Sequence, residues 1–468
     1  MKILLATPPS DPMSRYGNLA GAGSSQPNLG LLMLAAAVRA AGHQPLLLDA
    51  GACGVSWDEA LRRAVAFTPD VIGLTATTLE VAAAARFAEE LRRQLPAARV
   101  VLGGPHVSAV PEETLRRFPI FELAVIGEGE ETLCELLATL AGAGDLGSVA
   151  GLVRRAGGEL HATARRPYMV DLDQLPLPAW DLLDGFPQRF APPAFKTRQL
   201  PAASLVTSRG CPNRCIFCDR SVFGASCHGY SADYVIRMIR QLYDVYGVRE
   251  IAFEDDTFVT FRPRLLEICR QLIDLKLDLS WSCLGRVNHV DAATLKLMRQ
   301  AGCWQISFGI ESGSQPILDT IRKNVTLAQI RTAVELCRGA GIKSKGFFIV
   351  GHPRETVETL RQTIDFALEL PLDDLSATML TPFPGTELHV RAAEFGSFDA
   401  DWGKMNLLNA VFVPHGLTAL ELELAQRELL RRFYLRPRII GDYLSRLARN
   451  PVLALPLWRG FRAWLRSI

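Results

Sequence analysis

Three cysteines lie close together near the middle of the chain, at Cys211, Cys215 and Cys218 in the run Cys-Pro-Asn-Arg-Cys-Ile-Phe-Cys. The run follows an apolar stretch, and a loop at such a position can fold around a cubane iron–sulfur cluster. Three thiolates bind three of its irons and leave the fourth iron open, whereas a fourth cysteine would indicate an electron-transfer cluster. We therefore interpret these cysteines as the ligands of a [4Fe–4S] cluster that binds a further molecule.

The same cysteines allow two other interpretations. They could be unrelated buried residues, since the chain has ten cysteines among its 468 residues. They could also hold zinc, but no fourth Cys or His follows at the spacing of zinc fingers or ribbons, and Cys227-His228 is only a loose candidate.

The cysteine run resembles the signature of the radical S-adenosylmethionine (SAM) superfamily. Phe217 matches the aromatic residue found between the second and third cysteines, and Arg209-Gly210 and residues 219–224 also resemble this family. The resemblance implies that the amino and carboxylate groups of SAM chelate the open iron. It also implies that one electron cleaves SAM to a 5′-deoxyadenosyl radical, with the backbone of Phe217 beside the adenine.

Composition indicates a protein of two domains and an appendage in a reducing cytoplasm. The chain is 49% hydrophobic with a net charge of +2, so charge gives no reason to expect a nucleic acid partner. Residues 1–9 are typical of a first strand ended by prolines and not of a signal peptide. The apolar residues 29–41 are too few to form a membrane-spanning helix, and they include Arg39.

Residues 1–145 alternate between apolar strands and helices of about a dozen residues, which predicts a doubly wound, Rossmann-like parallel sheet. The predicted strands are residues 2–6, 44–49, 71–75, 100–102 and 123–126, and the predicted helices are residues 29–41, 57–67 and 80–94. Ligands of such sheets bind beyond the carboxyl ends of the strands.

Glycines and hydroxyl groups fall at these predicted strand ends. Glycine lets a backbone approach a bulky ligand, and threonine offers hydrogen bonds. Ordinary turns are the alternative explanation for the same residues. The candidate binding residues are Thr75, Thr77 and Thr78; Gly103, Gly104, Pro105 and His106; and Gly127, Glu128 and Gly129.

The same segments resemble the cobalamin (B12)-binding domain of B12-dependent radical SAM enzymes. The resemblance rests on residues 27–32, 41–43, 48–50, 103–106 and 125–130. It implies that the strand-end segments bind cobalamin. None of the eight histidines follows an aspartate by two positions, so the Asp-x-His-x-x-Gly motif of B12 domains is absent and an axial cobalt ligand of that kind is not supported. His106 is expected to line the pocket or cap a turn.

Residues 146–200 are rich in proline and predict a linker with a short hairpin near residues 151–162. From residue 201 to 395 the alternation of strand and helix resumes. The predicted strands are residues 204–207, 250–254, 279–284, 305–310, 345–350 and 375–380. Six such repeats predict a partial (β/α)6 TIM-like barrel, the core of radical SAM enzymes, with functional residues at the carboxyl ends of its strands.

Four residues at these strand ends are expected to bind SAM. Asp255 could hold the ammonium group, and Arg286 has the planar fork that suits the carboxylate. Glu311 could bond to ribose hydroxyls or to the ammonium, and the backbone at Gly351 could approach adenine. Helix capping by Asp255 and a surface ion pair of Arg286 are the alternatives. The family usually has leucine where this chain has His352, whose role stays open.

The final segment, residues 396–468, predicts a helical region. From residue 427 onward it contains ten arginines and two acidic residues, interleaved with Trp458, Phe461 and Trp464. Such a segment can lie on an anionic membrane surface, which would suit a lipid-like or porphyrin-like substrate. The alternative is a helix packed over the barrel with its arginines in solvent.

The resemblance covers nearly the whole chain and implies a cobalamin-dependent radical SAM enzyme. In that family the adenosyl radical removes hydrogen from an unactivated carbon, methylcobalamin donates a methyl group, and a second SAM remethylates the cobalt. An electron donor such as flavodoxin or ferredoxin and a small-molecule substrate are expected. A tetrapyrrole cyclase-like enzyme without methyl transfer and a non-catalytic corrinoid or redox sensor are the alternatives.

Overall fold

The computed structural model describes residues 1–17, 25–142, 144–190 and 197–449, together with residues 458 and 462. The predictions for Phe461 and Trp464, and for most of the chain after residue 449, lie outside these described residues.

A mixed sheet forms the first part of the protein. Within the described ranges it has seven strands in the order β2-β1-β3-β4-β5-β6-β7, of which β1 to β5 are parallel and β6 and β7 are antiparallel. The strands are β1 Lys2–Thr7, β2 Gln44–Asp49, β3 Val71–Thr75, β4 Arg99–Gly103, β5 Leu123–Val125, β6 Leu152–Ala156 and β7 Glu159–Ala162. The hairpin β6–β7, expected in the linker, therefore extends this sheet.

Helices cover both faces of this sheet because successive side chains of its strands point to opposite sides. Ile3 and Leu5 face a core that includes the helices at residues 29–40 and 130–141, whereas Leu4 and Ala6 face a core that includes the helices at residues 57–67 and 81–94. The helices are α1 Pro12–Tyr16, α2 Leu29–Ala40, α3 Ala50–Cys53, α4 Trp57–Phe67, α5 Val81–Gln94, α6 Pro105–Ala109, α7 Pro111–Arg117 and α8 Glu130–Ala141.

A second, all-parallel sheet forms the barrel part. Its strand order among the described residues is β15-β14-β13-β12-β11-β8, and β8 and β15 do not pair with each other, so the barrel is open. The strands of this part are β8 Ala202–Leu205, β9 Ser208–Arg209, β10 His228–Gly229, β11 Glu250–Phe253, β12 Ser280–Gly285, β13 Cys303–Glu311, β14 Lys343–Val350 and β15 Asp374–Met379. The expected α/β architecture, a doubly wound domain followed by a partial barrel, is confirmed.

Amphipathic helices cover the outside of the barrel. The helix that begins after Thr326 has a capping box, in which the Thr326 and Gln329 side chains each accept a hydrogen bond from the other residue's backbone N–H. The helices are α9 Ala232–Arg240, α10 Arg262–Leu275, α11 Ala292–Gln300, α12 Gln315–Thr320, α13 Leu327–Gly339, α14 Val357–Glu369 and α15 Glu387–Phe395.

The final segment packs on both parts of the protein. It contains β16 Gly396–Phe398, β17 Phe412–Pro414, α16 Ala419–Tyr434 and α17 Pro437–Arg449. The Tyr434 hydroxyl at the end of α16 donates to Asp374 Oδ1 on β15 at 2.5 Å, which ties this helix to the barrel. No helix in the described part of the chain is long and apolar enough to cross a bilayer.

Candidate functional site

The three cysteines lie on a loop that follows the first barrel strand. Ser208–Arg209 pairs antiparallel with His228–Gly229, which closes the loop at its base. Gly210 has φ +78°, and a Cβ atom there would collide with the carbonyl oxygen of Ser226, so the position requires glycine. The local sequence therefore builds a tight turn directly before Cys211.

The surroundings of the three thiols suit a multinuclear iron–sulfur group. The Asn213 side chain donates to Cys211 Sγ at 3.2 Å, and the Cys215 thiol lies 3.7 Å from the carbonyl oxygen of Arg322. Cys218 is exposed to solvent, whereas Cys215 is buried and Cys211 is half-buried. A nearby metal cation is what converts such thiols to thiolates.

In a [4Fe–4S] cluster each of the three thiolates binds a different iron, so the three sulfur atoms need not converge on a single metal position. Among the described residues, no three His, Cys, Asp or Glu side chains converge on a position for a single metal ion. The assignment of Cys211, Cys215 and Cys218 as the three cluster ligands stays a prediction.

Asp255 lies under the start of the cysteine loop and is fully buried. Its Oδ1 accepts hydrogen bonds from the Thr207 N–H at 3.0 Å, the Thr207 hydroxyl at 2.9 Å and the Ser208 hydroxyl at 2.5 Å. Its Oδ2 has no partner among the described residues, and burial raises the pKa of the carboxyl group. These hydrogen bonds position the start of the cysteine loop, and contact of Asp255 with SAM stays a prediction.

Arg286, Glu311 and Lys323 form a buried polar group beside the barrel mouth. Arg286 is 7% exposed and donates through Nη2 to the carbonyl oxygen of Lys323, so it is not the surface ion pair considered as an alternative. The Lys323 ammonium lies 2.7 Å from Glu311 Oε1, with both side chains less than 10% exposed. Glu311 has φ +69°, a conformation that costs a non-glycine residue energy and often marks a functional position.

The end of β14 brings Gly351, His352 and Glu355 next to the cysteine loop. The Glu355 carboxylate accepts hydrogen bonds from the backbone N–H groups of Gly351 at 2.5 Å and His352 at 2.9 Å. Burial raises the pKa of Glu355 to about 8 in spite of these bonds. The His352 ring lies 6.1 Å from the Phe217 ring, centre to centre.

His352 is fully buried, and neither ring nitrogen has a hydrogen-bond partner of good geometry in the described part of the chain. Burial lowers the pKa of His352 to about 3, although the backbone of Glu311 opposes this shift. Its imidazole is therefore neutral at physiological pH.

The candidate residues of the first domain lie at the carboxyl ends of β3 and β4. Gly104 has φ +97°, and a Cβ atom there would collide with Thr75 Oγ1, so this close contact requires glycine. Thr77 is exposed and donates through its hydroxyl to Glu80 at 2.8 Å. Gly103 offers open space, since a Cβ atom there would meet nothing closer than 4.0 Å. This edge therefore presents backbone and hydroxyl groups to a bulky ligand, which fits cobalamin.

His106 lies in the first turn of helix α6, directly after the exposed Pro105, and is 1% exposed. Its Nδ1 is 3.1 Å from the Thr78 hydroxyl, and its ring packs edge-on against Trp402 at 4.3 Å. Burial lowers the pKa of His106 to about 4, so the ring is neutral. These contacts place the ring in the protein interior, and a pocket-lining role for His106 stays a prediction.

Gly127, Glu128 and Gly129 connect β5 with α8. The backbone N–H of Gly127 donates to the Ser108 hydroxyl at 3.1 Å. Glu128 Oε1 forms an ion pair of 2.8 Å with Arg209, and Arg209 lies two residues before Cys211. The predicted cobalamin loop and the cysteine loop are thus in direct contact.

Sequence reasoning did not assign roles to Glu130, Lys323 or Glu355, or a contact to Arg209. In the sequence each of them is only a charged residue within an apolar or glycine-rich stretch. Their contacts could not be predicted because several of the partners lie far away in sequence. Arg209 and Glu130 are 79 positions apart, for example.

Two family models match the chain: the B12 binding domain over residues 17–137 and the radical SAM superfamily over residues 205–367. An uncharacterised methyltransferase of Pyrococcus horikoshii is 34% identical over 442 residues, which cover 94% of each chain. An anaerobic magnesium-protoporphyrin IX monomethyl ester cyclase of Cereibacter sphaeroides is 29% identical over 424 residues, covering 88% of this chain and 68% of the cyclase.

Among solved structures, the cobalamin-dependent SAM radical enzyme OxsB, with aqua-cobalamin and SAM bound, has a TM-score of 0.75 at 19% identity. The likeness covers 99% of this chain and 72% of that chain and shows a common fold.

Proposed function

Because this chain belongs to the family of B12-binding radical SAM enzymes, we propose that it methylates an unactivated carbon of a small-molecule substrate. The bound groups supply the hard chemistry, namely a radical from SAM and a cobalt centre that carries methyl groups. The observation that supports the proposal most is the contact of Arg209 with Glu128 at 2.8 Å, which joins the cysteine loop to the proposed cobalamin loop. Such proximity is what transfer between two cofactors requires.

The barrel residues hold the first two cofactors in this proposal. Cys211, Cys215 and Cys218 bind the [4Fe–4S] cluster. Five further residues hold SAM: Phe217 and Gly351 next to adenine through their backbones, Asp255 at the ammonium, Arg286 at the carboxylate, and Glu311 at ribose or ammonium. Arg286 suits this role because its Nε is buried without a partner among the described residues, so a ligand carboxylate can complete its hydrogen bonds.

Cobalamin lies over the carboxyl edge of the first sheet in this proposal. Its binding residues are Thr75, Thr77, Thr78, Gly103, Gly104, Pro105, His106, Gly127, Glu128 and Gly129. The neutral His106 ring is held by Thr78 and Trp402, which supports a role in lining the pocket.

We propose the chain is divided into a cobalamin-binding domain (1–145), a linker (146–200), a radical SAM core (201–395) and a C-terminal helical region (396–468). The two family models fall within the first and third of these segments. The electrons come from a flavodoxin or ferredoxin in this proposal. The arginines and exposed Leu435, Ile440 and Leu444 of the C-terminal helices support peripheral contact with a membrane, and hence a lipid-like or porphyrin-like substrate.

A radical oxidative cyclase is the second candidate, favoured by the 29% identity to a magnesium-protoporphyrin cyclase over 88% of this chain. Product stoichiometry distinguishes the two. A methyltransferase forms S-adenosylhomocysteine and 5′-deoxyadenosine in step with product, whereas a cyclase forms 5′-deoxyadenosine without S-adenosylhomocysteine.

The experiment is anaerobic turnover of the reconstituted enzyme with small-molecule, lipid and porphyrin substrate panels, with both nucleoside products quantified by mass spectrometry. Equal amounts of both products with a methylated substrate support the proposal. Formation of 5′-deoxyadenosine alone with any converted substrate would replace it with the cyclase.

A further inference from the structure

Arg209 connects the two cofactor-binding parts of the protein through a buried ion network. Its guanidinium lies 2.8 Å from Glu128 Oε1 and 2.5 Å from Glu130 Oε1. The three side chains are 6%, 8% and 7% exposed, in that order. The network therefore lies inside the protein, between the loop after β5 and the start of the cysteine loop.

Two more segments meet at Glu128. Its Oε2 accepts a hydrogen bond of 2.7 Å from the backbone N–H of Met169, and the His228 Nε2 lies 3.4 Å from its Oε1. His228 is the strand partner of Arg209 in the ladder that closes the cysteine loop. One carboxylate thus contacts both sides of the loop base and the linker.

The geometry of this network fixes the orientation of the Arg209 side chain relative to Glu128 and Glu130. A guanidinium presents several donors in a rigid plane, so one Arg209 can bridge two carboxylates only in a narrow range of orientations. A lysine would be a single compact charge and would not fix the same orientation. Buried ion pairs add little to net stability compared with apolar packing, and specifying one arrangement is the role that such a pair can add.

Each partner of the Arg209–Glu128 pair lies beside one of the two sites along the chain. Cys211 follows after Gly210, and Glu128 lies between Gly127 and Gly129 of the proposed cobalamin loop. A shift of Arg209 relative to Glu130 would therefore move the cysteine loop relative to the cobalamin loop.

We propose that Arg209, bridged between Glu128 and Glu130, is a positioning residue that sets the register between the cluster site and the cobalamin site. This role rests on the proposed function, because transfer of a methyl group from SAM to cobalamin depends on the distance between the two sites. Cleavage of SAM at the cluster does not depend on that register. Loss of the bridge should therefore slow methyl transfer from SAM to cobalamin without slowing the cleavage of SAM at the cluster.

The test uses full-length enzyme loaded with cluster and cobalamin, as wild type, Arg209→Met, Arg209→Lys and Glu130→Gln. Arg39→Met is the matched control, since Arg39 pairs with Asp181 of the linker at 2.6 Å in an exposed position away from the cysteines. The first readout is the spin interaction between the reduced cluster and Co(II), measured by electron paramagnetic resonance (EPR). The second compares transfer of labelled methyl from SAM to cobalamin with formation of 5′-deoxyadenosine.

In Arg209→Met and Glu130→Gln we expect an altered, broader spin interaction and about 100-fold slower methyl transfer, with 5′-deoxyadenosine formation within about twofold of wild type. Arg209→Lys should recover only part of the rate, and Arg39→Met should behave as wild type. An unchanged spin interaction in Arg209→Met and Glu130→Gln would overturn the proposal. Joint loss of iron, cobalamin and folded structure in Glu130→Gln and Arg209→Lys would also overturn it, since the network would then be structural.

The two proposals can fail separately. A wild-type enzyme that transfers no methyl group contradicts the proposed methyltransferase, while the EPR comparison of wild type and variants still decides whether Arg209 sets the register.

Discussion

The Oδ1 atom of Asp255 accepts a hydrogen bond of 3.0 Å from the backbone N–H of Thr207. The two residues lie at the ends of adjacent strands of the barrel, so the carboxylate fixes the point where the chain leaves β8 for the cysteine loop. The side chain of Thr207 is bound by the same oxygen at 2.9 Å, and the Arg264 guanidinium also donates to this hydroxyl. The loop that carries the proposed cluster ligands is therefore held in place by a buried carboxyl group.

Replacing Asp255 with alanine should destabilise the protein and lower its iron content. The variant leaves the Thr207 N–H and the Thr207 and Ser208 hydroxyls without their acceptor, at a cost of about 3 kcal/mol. Thermal unfolding and iron per protein after reconstitution are the measurements. Asp145→Ala is the control, because Asp145 accepts the Gly147 N–H at 2.8 Å in an exposed position. Full iron content and an unchanged unfolding temperature in Asp255→Ala would contradict this role.

Glu355 should make the protein less stable as the pH rises. Its pKa is about 8 in the folded protein against 4.5 for a free side chain. The folded protein thus holds a proton that the unfolded chain releases between these values. The contribution of Glu355 to the free energy of unfolding is therefore complete below pH 4.5. It decreases as the pH rises to 8, by about 5 kcal/mol at most.

The measurement is the free energy of unfolding by denaturant across this range for wild type and Glu355→Gln. The variant should lose most of the decrease, and Glu358→Gln, an exposed neighbour, should keep it. Equal pH dependence in wild type and Glu355→Gln would show that the carboxyl group of Glu355 does not have the raised pKa.

His352 should act in the opposite direction and at lower pH. Its folded-state pKa of about 3 lies below the ordinary value of 6.5, so the unfolded chain binds the extra proton between these values. Stability is therefore complete above pH 6.5 and is lost as the pH falls towards 3.

His352→Leu should remove the loss of stability at acidic pH and stabilise the protein by about 1–3 kcal/mol. Apolar surface then replaces two buried ring nitrogens that have no partner of good geometry among the described residues. Denaturant unfolding at a series of acidic pH values measures it, with the exposed His415→Leu as control. A variant less stable than wild type at neutral pH would indicate that His352 makes a favourable contact.

The Glu311–Lys323 pair should show strong coupling in a double-mutant cycle. Removing either charge leaves the other buried and unpaired, so Glu311→Gln and Lys323→Met should each cost about 3–5 kcal/mol, and the double variant less than their sum. Denaturant unfolding gives the coupling, and isothermal titration of SAM gives the binding role. Glu311→Gln should weaken SAM binding about tenfold. Additive stability losses with unchanged SAM affinity would exclude both roles.

The sequence predicts the architecture well because its signals are local. Apolar runs of strand length that alternate with helices indicate both parallel sheets, and the cysteine spacing places the loop of Cys211 after the first barrel strand. Strand ends could be located within one or two residues: the third barrel strand, expected at 279–284, is observed as Ser280–Gly285.

The network around Arg209 could not be predicted, because ion pairs between distant segments leave no local pattern. In the sequence, Glu128 looks like an ordinary member of a glycine-rich binding loop. Only the folded chain brings it into contact with Arg209 and Met169. The hairpin β6–β7 was expected in the linker for a similar reason, since nothing in its own sequence reveals that Leu152–Ala156 pairs with β5.

The central claim is tested most directly by a reaction that needs no substrate. The enzyme is reconstituted anaerobically with iron, sulfide and hydroxocobalamin, reduced, and given SAM labelled on its methyl group. We predict labelled methyl on enzyme-bound cobalamin, with one S-adenosylhomocysteine for each methyl transferred, and also 5′-deoxyadenosine. Full cluster and cobalamin occupancy without any labelled cobalamin would contradict the methyltransferase.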